Sequence, residues 1–251
     1  MTTTLITGAS SGLGAEMARQ LAARGDDLAL CARRTERLEE LREKILAAHP
    51  ERSVSIAALD VTDDEAVFEV FRGFQAELGT IDRVVINAGI GKGAPIGKGR
   101  YDANRATAMT NFVAALAQCE AAMEIFRAQK YGHLVMISSM SAYRGMPSAM
   151  TTYAATKAGV ATLAEGIRHE MSRKPDLDID VSVLYPGYIR SEMNDQVEQS
   201  TPFMVDTETG VKAMVAAIER RTAHARVPAW PWVPMGTALR HLPLPVVRRL
   251  T

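Results

Sequence analysis

Residues 3–14 read TTLITGASSGLG: a short apolar run, a glycine-rich turn and the start of a stretch with helical periodicity. Glycines at a turn between a strand and a helix permit positive φ and let backbone N–H groups approach a pyrophosphate. The N-terminus of the following helix adds a partial positive charge for the same anion. The spacing is G-x3-G-x-G and departs from the general GxGxxG fingerprint, so an ordinary Gly-Ser turn is the alternative interpretation.

Outward from this turn, short apolar runs alternate with stretches of helical periodicity as far as residue 184. The predicted strands are Thr3–Thr7, Leu28–Ala32, Val54–Ala58, Arg83–Ile86, His133–Ser138 and Asp180–Leu184. The predicted helices lie near residues 12–24, 35–48, 63–78, 103–129 and 153–173. Such alternation implies right-handed βαβ units, and uniformly apolar strands indicate burial on both faces. We therefore predict an α/β fold, a single Rossmann-like doubly wound parallel sheet with helices on both faces.

Two segments interrupt this alternation. Residues 89–100 contain five glycines and are predicted to form a loop. Residues 223–251 contain five of the eleven prolines, both tryptophans and no acidic residue. We therefore predict one domain over residues 1–222, holding both the cofactor and the substrate site, followed by a tail over residues 223–251. Prolines interrupt any long amphipathic helix, so we expect the tail to pack against protein or to close over the substrate site, and membrane contact is less favoured.

Composition excludes several classes of protein. The 251 residues carry 29 basic and 29 acidic side chains, so the net charge of zero gives no footprint for nucleic acid. A hydrophobic content of 47 % argues against wholesale disorder. Cys31 and Cys119 cannot form a disulfide framework, which favours a reducing compartment. No signal peptide and no apolar run of membrane-spanning length is visible, so we expect a cytoplasmic protein.

Five further motifs follow the glycine-rich turn along the chain. They are Asn87-Ala88-Gly89 after the fourth predicted strand, Asn111 in the next helix, serines at the end of the fifth strand, Tyr153-Ala154-Ala155-Thr156-Lys157 in the following helix, and Pro186-Gly187 with Ser191 after the sixth strand. Together with residues 7–14, they resemble the short-chain dehydrogenase/reductase family over residues 3 to about 192. Ile86 and Ser191 depart from the pattern, since the family usually has Asn and Thr there.

The resemblance implies a catalytic set of Asn111, Ser139, Tyr153 and Lys157, with Asn111 holding a water that links Lys157 to solvent. Asp60-Val61 resembles the family's adenine-binding pair, with the Asp60 side chain accepting from the adenine amino group. The implied cofactor contacts are Gly8, Ser10, Ser11, Gly12, Leu13, Gly14, Asp60, Val61, Asn87, Ala88, Gly89, Tyr153, Lys157, Pro186, Gly187, Ile189 and Ser191, and no metal site is expected.

The tyrosine and lysine can also be understood from their spacing. Positions i and i+4 share one face of a helix, so Tyr153 and Lys157 can point into one site. A free phenol with a pKa of ~10 is a poor acid or base near neutral pH. We expect the neighbouring ammonium, and a cationic oxidised nicotinamide, to lower that pKa so that Tyr153 exchanges a proton with the substrate oxygen.

The serine of the site is ambiguous, because Ser138, Ser139 and Ser141 all lie near the end of the fifth strand. The family places its serine thirteen residues before the tyrosine, and here Met140 holds that position. The interval of 28 residues from Asn111 favours Ser139, with Ser141 as the alternative and Ser138 as a plain turn residue. A hydroxyl here can hydrogen-bond the substrate oxygen.

Cofactor choice is predicted from the end of the second strand. An acidic residue there would bind the ribose 2′-hydroxyl of NAD, but Ala32 holds that position and Arg33 and Arg34 follow. Guanidinium groups bind phosphate through charge-assisted hydrogen bonds, so we predict NADP(H), with Arg33 as the main contact and Arg34 as the second. The alternative is that both arginines are solvated at a helix start.

The residues around the predicted substrate site are rich in methionine and aromatic side chains. They are Met140, Tyr143, Met146, Met150, Tyr188 and residues 191–206. They could form an apolar pocket or fill the core. We therefore predict an NADP(H)-dependent oxidoreductase that interconverts a hydrophobic ketone and a secondary alcohol, with a homodimer or homotetramer implied by the resemblance. The alternatives are a non-catalytic NADP-binding sensor or scaffold, and an isomerase or epimerase using bound NAD.

Overall fold

The computed structural model describes residues 2–91, 93–194 and 203–247. In this part of the chain, seven strands form one sheet in the order β3-β2-β1-β4-β5-β6-β7, and every pairing is parallel. The strands are β1 (Thr3–Thr7), β2 (Asp27–Ala32), β3 (Val54–Ala58), β4 (Arg83–Ile86), β5 (Tyr131–Ile137), β6 (Asp178–Pro186) and β7 (His224–Val227). This order reverses direction beside β1, between β1 and β4, which is where α/β sheets of this kind bind ligands.

Helices connect the strands and cover both faces of the sheet. They are α1 (Gly12–Ala22), α2 (Thr35–Ala48), α3 (Asp64–Leu78), α4 (Tyr101–Ala108), α5 (Ala114–Gln129), α6 (Met150–Met171), α7 (Thr207–Glu219), α8 (Ala229–His241) and α9 (Leu244–Val247). A π-helical segment at Met109–Val113 joins α4 to α5, and a 3₁₀ turn at Met140–Tyr143 follows β5. None of the helices in the described ranges combines the length and apolar character needed to cross a membrane.

Two apolar cores form because successive strand residues face opposite sides. Leu5 and Val84 face the core built with α3, α5 and α6. Their neighbours Ile6 and Val85 face the core built with α1, α2 and α7. The prediction of a doubly wound sheet with buried strands is confirmed.

The predicted elements differ from the structure mainly at their ends and beyond residue 184. The predicted helix 103–129 begins at Tyr101 and is interrupted by the π-helical segment, and α6 begins three residues before Tyr153. Strand β7 and helix α8 come from the predicted tail, and β7 extends the sheet beside β6. The proposed boundary at residue 222 stays a prediction, although β7 adds to the same sheet as the rest of the chain.

A buried polar network crosses the sheet from the turn before β2 to β6. Asp26 accepts hydrogen bonds from the Thr4 hydroxyl (2.7 Å) and from Arg83 Nη1 (2.9 Å). Arg83 Nε donates to His133 Nδ1 (3.4 Å), and His133 Nε2 bonds the Ser182 hydroxyl (2.8 Å). Burial and the neighbouring guanidinium lower the pKa of His133 to about 3, so the imidazole is neutral. This network holds five strands or strand ends together away from the edge described next.

Candidate active site

A cleft of about 440 Å³ opens at the carboxyl ends of the strands. Its walls include Ala32, Leu59, Ile137 and Pro186, which end or directly follow β2, β3, β5 and β6. All the site residues predicted from the sequence line this cleft except Gly14 and Asn111. The structure therefore brings the dispersed motifs to one edge of the sheet.

The glycine-rich turn depends on the absence of side chains. Gly8 and Gly12 have φ of +65° and +53°, which side chains rarely adopt. A Cβ at Gly14 would lie 2.4 Å from the Gly8 carbonyl oxygen, so α1 can approach the turn this closely only at a glycine. Asn87 Nδ2 donates to the carbonyl oxygens of Thr7 (3.0 Å) and Gly8 (3.3 Å) and fixes the turn against β4.

Thr7 makes the second half of this connection. Its hydroxyl accepts hydrogen bonds from the backbone N–H groups of Asn87 and Ala88, both at 3.1 Å. Thr7 and Asn87 therefore exchange side-chain contacts across the β1–β4 junction. Thr7 belongs to the glycine-rich motif, and its position at the end of β1 is the signal in the sequence for this role.

Tyr153 and Lys157 occupy one face of α6, as their spacing predicts. Ser139 and Tyr153 line the same cleft, and the Ser139 hydroxyl is near enough to the phenol to favour its ionised form. The Lys157 ammonium lies 5.8 Å from the centroid of the Tyr153 ring and donates to the Ile137 carbonyl at 2.8 Å. A hydroxyl, a phenol and an ammonium thus face the same end of the cleft.

Burial dominates the acidity of both groups. It raises the pKa of Tyr153, although the hydrogen bond from Ser139 acts in the opposite direction. It also lowers the pKa of Lys157 to about 8. The expectation that the ammonium lowers the phenol pKa is therefore not met in the protein without cofactor, because desolvation is the larger effect. The phenol therefore keeps its proton at neutral pH, and positive charge beside it is needed to make it a better proton donor.

The three serines after β5 have different surroundings. The Ser138 hydroxyl donates to the Lys157 carbonyl at 2.7 Å and so connects the end of β5 to α6. Ser139 caps the 3₁₀ turn, where its hydroxyl accepts from the Ser141 N–H at 3.2 Å. The Ser141 hydroxyl is buried and makes no hydrogen bond within the described residues. The geometry thus favours Ser139 over Ser141 as the hydroxyl beside the phenol.

Asn111 is buried behind the cleft, in the π-helical segment. Its side chain accepts from Ile90 N–H (2.8 Å) and donates to the Ile90 carbonyl (2.9 Å), with Thr156 Oγ1 at 3.5 Å. A Cβ at Gly89 would lie 3.3 Å from Asn111 Oδ1 and 3.6 Å from Lys157 Nζ. Asn111 therefore braces the loop after β4 next to the ammonium, and its role in holding a water stays a prediction.

The arginines after β2 are exposed and already paired. Arg33 Nη1 lies 3.8 Å from Asp60 Oδ2, while Asp60 Oδ1 accepts from the Thr62 N–H and hydroxyl. Arg34 Nη2 donates to the Ser11 hydroxyl at 2.7 Å, which connects the arginine to the glycine-rich turn.

Two charged residues near Arg34, namely Arg37 and Glu192, received no role in cofactor binding from the sequence, although Glu192 lies within the segment 191–206 named for the substrate site. Glu192 Oε2 accepts from Arg34 Nη1 and Nη2, both at 3.1 Å, and Glu192 Oε1 accepts from Arg37. Arg37 could have been found, because it follows Arg34 by one helical turn. Glu192 could not, because it is 158 positions away in the sequence from Arg34.

The predicted substrate-pocket residues separate into two groups. Met150 and Tyr188 line the cleft and are exposed, together with Met193. Met140 is buried in the core and half-buried Tyr143 packs against it, so of the two alternatives the core applies to these residues. The 3₁₀ turn points these side chains inward. Met146 does not line the cleft, and residues 195–202 of the predicted segment lie outside the described residues.

The tail supports the cleft from behind. Trp232 in α8 is buried against Gly187, where a Cβ would lie 1.9 Å from Trp232 Cε2. The Tyr188 ring meets the Trp232 ring edge to face at 5.4 Å. Within its described part, up to residue 247, the tail therefore packs on its own subunit and holds Tyr188 in the wall of the cleft.

The parallel sheet and the cleft at its carboxyl edge define a Rossmann-like α/β protein. A family model for short chain dehydrogenases matches residues 2–202. An uncharacterised oxidoreductase of Mycobacterium tuberculosis is 53 % identical over 245 residues, covering 98 % of this chain and 95 % of the relative. The chain therefore belongs to the short-chain dehydrogenase/reductase family and is an oxidoreductase.

Two solved structures share the fold. A short-chain dehydrogenase from Sphingobium yanoikuyae in complex with NADPH is 25 % identical, with a TM-score of 0.82 over 99 % of this chain and 94 % of that one. The bulky-bulky ketone specific alcohol dehydrogenase from Comamonas testosteroni is 27 % identical, with a TM-score of 0.78 over 96 % of this chain and 93 % of that one.

Proposed function

We propose that the protein interconverts a hydrophobic ketone and a secondary alcohol with NADP(H). The observation that carries the proposal is the convergence of Ser139, Tyr153 and Lys157 at one end of a cleft whose other end holds Arg33 and Arg34. The glycine-rich turn lines the cleft between them, and glycines at a turn between a strand and a helix let the backbone approach the pyrophosphate of a dinucleotide.

Proton transfer follows from the acidities in the cleft. Bound NADPH would supply the hydride for reduction. Tyr153, which is protonated at neutral pH, donates its proton to the carbonyl oxygen as that oxygen becomes a strongly basic alkoxide, and the Ser139 hydroxyl hydrogen-bonds the same oxygen. The ketone thus gains one hydride and one proton and leaves as the alcohol. Lys157 stabilises the phenolate that remains, and solvent returns the proton. In the oxidising direction the same groups act in reverse.

Several observations support NADP(H) as the cofactor. Ala32 holds the position that an acidic residue would occupy in an NAD enzyme, and Arg33 and Arg34 directly follow it. The arginines lie in the same cleft as the glycine-rich turn. The related structure from Sphingobium yanoikuyae was solved with NADPH.

The exposed apolar side chains of Met150, Tyr188 and Met193 support a hydrophobic substrate. The relative from Comamonas testosteroni is described as specific for bulky-bulky ketones. We also propose a cytoplasmic homodimer or homotetramer. Exposed Val113 and Leu116, at the junction between the π-helical segment and α5, support association through this face. Light scattering on the purified protein measures the oligomer mass.

Turnover is tested by following NADPH oxidation with a panel of aliphatic and aromatic ketones. Tyr153→Phe is expected to lower kcat by about 10²-fold or more, because it removes the proton donor and keeps the ring. Tyr101→Phe is the matched control, since Tyr101 is exposed and does not line the cleft. Undiminished turnover in Tyr153→Phe removes the phenol from the mechanism, and NADPH binding without any turnover favours the sensor or scaffold.

Cofactor choice is tested separately by titrating NADPH and NADH into the wild type. NADPH is expected to bind more tightly, and Arg34→Ala is expected to reduce that preference. Arg72→Ala is the control, because Arg72 forms a comparable exposed ion pair with Glu124. Equal or tighter NADH binding by the wild type overturns the NADP(H) assignment.

A further inference from the structure

The arginines next to the glycine-rich turn hold a carboxylate of the chain itself. Glu192 spans the two nitrogens of Arg34 with one oxygen and meets Arg37 with the other. The Ser11 hydroxyl lies 2.7 Å from Arg34 Nη2 in the same cluster. The two guanidinium groups thus converge on a single carboxylate, and Arg34 also donates to a hydroxyl in the turn after β1.

Arg37 belongs to this group by its place on the helix. Arg34 directly precedes α2, and Arg37 follows in its first turn, so both guanidinium groups project from the same end of the helix. Glu192 arrives from the segment after β6, on the opposite side of the cleft. The carboxylate therefore bridges the two halves of the sheet at the end of the cleft where β2 stops.

A carboxylate and a phosphate use the same guanidinium donors, in the same forked geometry. The two groups are both anionic and repel each other, so they cannot bind these donors at the same time. A phosphate ester with nearly two charges competes well with one carboxylate whose ion pairs are exposed and therefore weak. An anion bound to Arg34 and Arg37 must accordingly displace Glu192.

We propose that Glu192 is the resident counter-ion of the 2′-phosphate site and that Arg37 is a further phosphate contact. The two residues then set the ratio of NADP(H) to NAD(H) affinity in opposite directions. Arg37 favours the phosphorylated cofactor, and Glu192 opposes it by occupying the donors. This inference rests on the proposed use of NADP(H).

The pairing predicts a selective effect of neutralising Glu192. Since exposed ion pairs are weak, Glu192→Gln is expected to tighten NADPH binding by about three- to tenfold. NADH binding stays unchanged, because NADH places no phosphate on these arginines. Arg37→Ala is expected to weaken NADPH binding by a similar factor and to leave NADH unaffected.

The experiment measures dissociation constants of the full chain for NADPH, NADH, adenosine 2′,5′-bisphosphate and 5′-AMP by calorimetry. The last two ligands differ only in the 2′-phosphate and lack the nicotinamide. The variants are Glu192→Gln, Arg37→Ala and the control Glu124→Gln, whose carboxylate forms a comparable exposed pair with Arg72. Circular dichroism confirms that each variant is folded.

Tighter binding of NADPH and the bisphosphate to Glu192→Gln, without change for NADH and 5′-AMP, supports the proposal. Unchanged or weakened NADPH binding, or an equal gain for NADH, overturns it. Failure of the proposed function is measured separately, on the wild type. If the wild type binds NADH as tightly as NADPH, the NADP(H) assignment is wrong. Weaker NADH binding in Glu192→Gln would then identify the carboxylate as an acceptor for the ribose hydroxyl and overturn its role as counter-ion.

Discussion

Lys157→Met is expected to inactivate the protein and to stabilise it. Lys157 is 5 % exposed, and among the described residues no carboxylate forms an ion pair with its ammonium. Its observed partner is the Ile137 carbonyl, 2.8 Å away. Methionine is similar in length and apolar, so it can occupy the same space without a charge.

The magnitude follows from the pKa of Lys157, which burial lowers from 10.5 to about 8. Since one pKa unit corresponds to about 1.4 kcal/mol, keeping the ammonium in the fold costs about 3 kcal/mol at pH 7. Between pH 8 and 10.5 the unfolded chain binds more protons than the folded one, so this cost shrinks to about 1 kcal/mol at pH 10. Leaving the Ile137 carbonyl without its donor offsets about 1 kcal/mol of the gain.

Urea denaturation of the wild type and Lys157→Met at pH 7 and pH 10 measures this effect. The variant is expected to be more stable by about 2 kcal/mol at pH 7 and nearly equal to the wild type at pH 10. Lys212→Met, at an exposed position of α7, is the control and should show no such pH-dependent difference. A gap that stays constant between the two pH values, or a wild type that is more stable at pH 7, would refute the reasoning.

Three further predictions concern the packing behind the cleft and the buried network. Gly187→Ala places a Cβ 1.9 Å from a Trp232 ring atom, so it should lower the free energy of unfolding by about 1–3 kcal/mol, and an unchanged urea midpoint would contradict this. Arg83→Met leaves Asp26 buried without its guanidinium and should lower the free energy of unfolding by about 3–5 kcal/mol at pH 7. Adding Asp26→Asn should restore part of this loss, and equal stability of the single and double variants would argue against the reasoning. Because the pKa of His133 is about 3 in the folded and about 6.5 in the unfolded chain, wild-type stability should fall as pH drops from 6.5 towards 3. The fall should be smaller in His133→Gln, and parallel plots of stability against pH for the two proteins would count against a buried neutral imidazole.

The fold was predictable where its signals are local. The six strands from β1 to β6 are apolar runs between helical patterns, and both cores follow from their alternation. Strand β7 was not predicted, because its four residues include a histidine and an arginine and pair only with β6. The π-helical segment at Met109–Val113 has the same periodicity signal as the helices around it, so the sequence predicts one uninterrupted helix.

The candidate site was predictable wherever the residues lie close together in the sequence. The spacing of Tyr153 and Lys157 specifies one helix face, and the glycine-rich turn specifies its own backbone. The 3₁₀ turn after β5 decided which side chains face the cleft, and spacing alone could not predict that Met140 would point into the core. The pairing of Glu192 with Arg34 and Arg37 joins segments from opposite halves of the sheet, so only the folded arrangement reveals it.

The cleft contains charges that the fold itself does not require. A buried ammonium opposite a backbone carbonyl opposes folding, whereas the buried Arg83 lies 2.9 Å from Asp26 and is compensated. The two cations are therefore physically different, although both are buried, Arg83 on β4 and Lys157 on α6. Arg83 is explained by the network that surrounds it, and replacing both partners by neutral groups could leave the fold intact. Lys157 has no such structural explanation, so its retention beside Tyr153 is best accounted for by proton chemistry at the phenol.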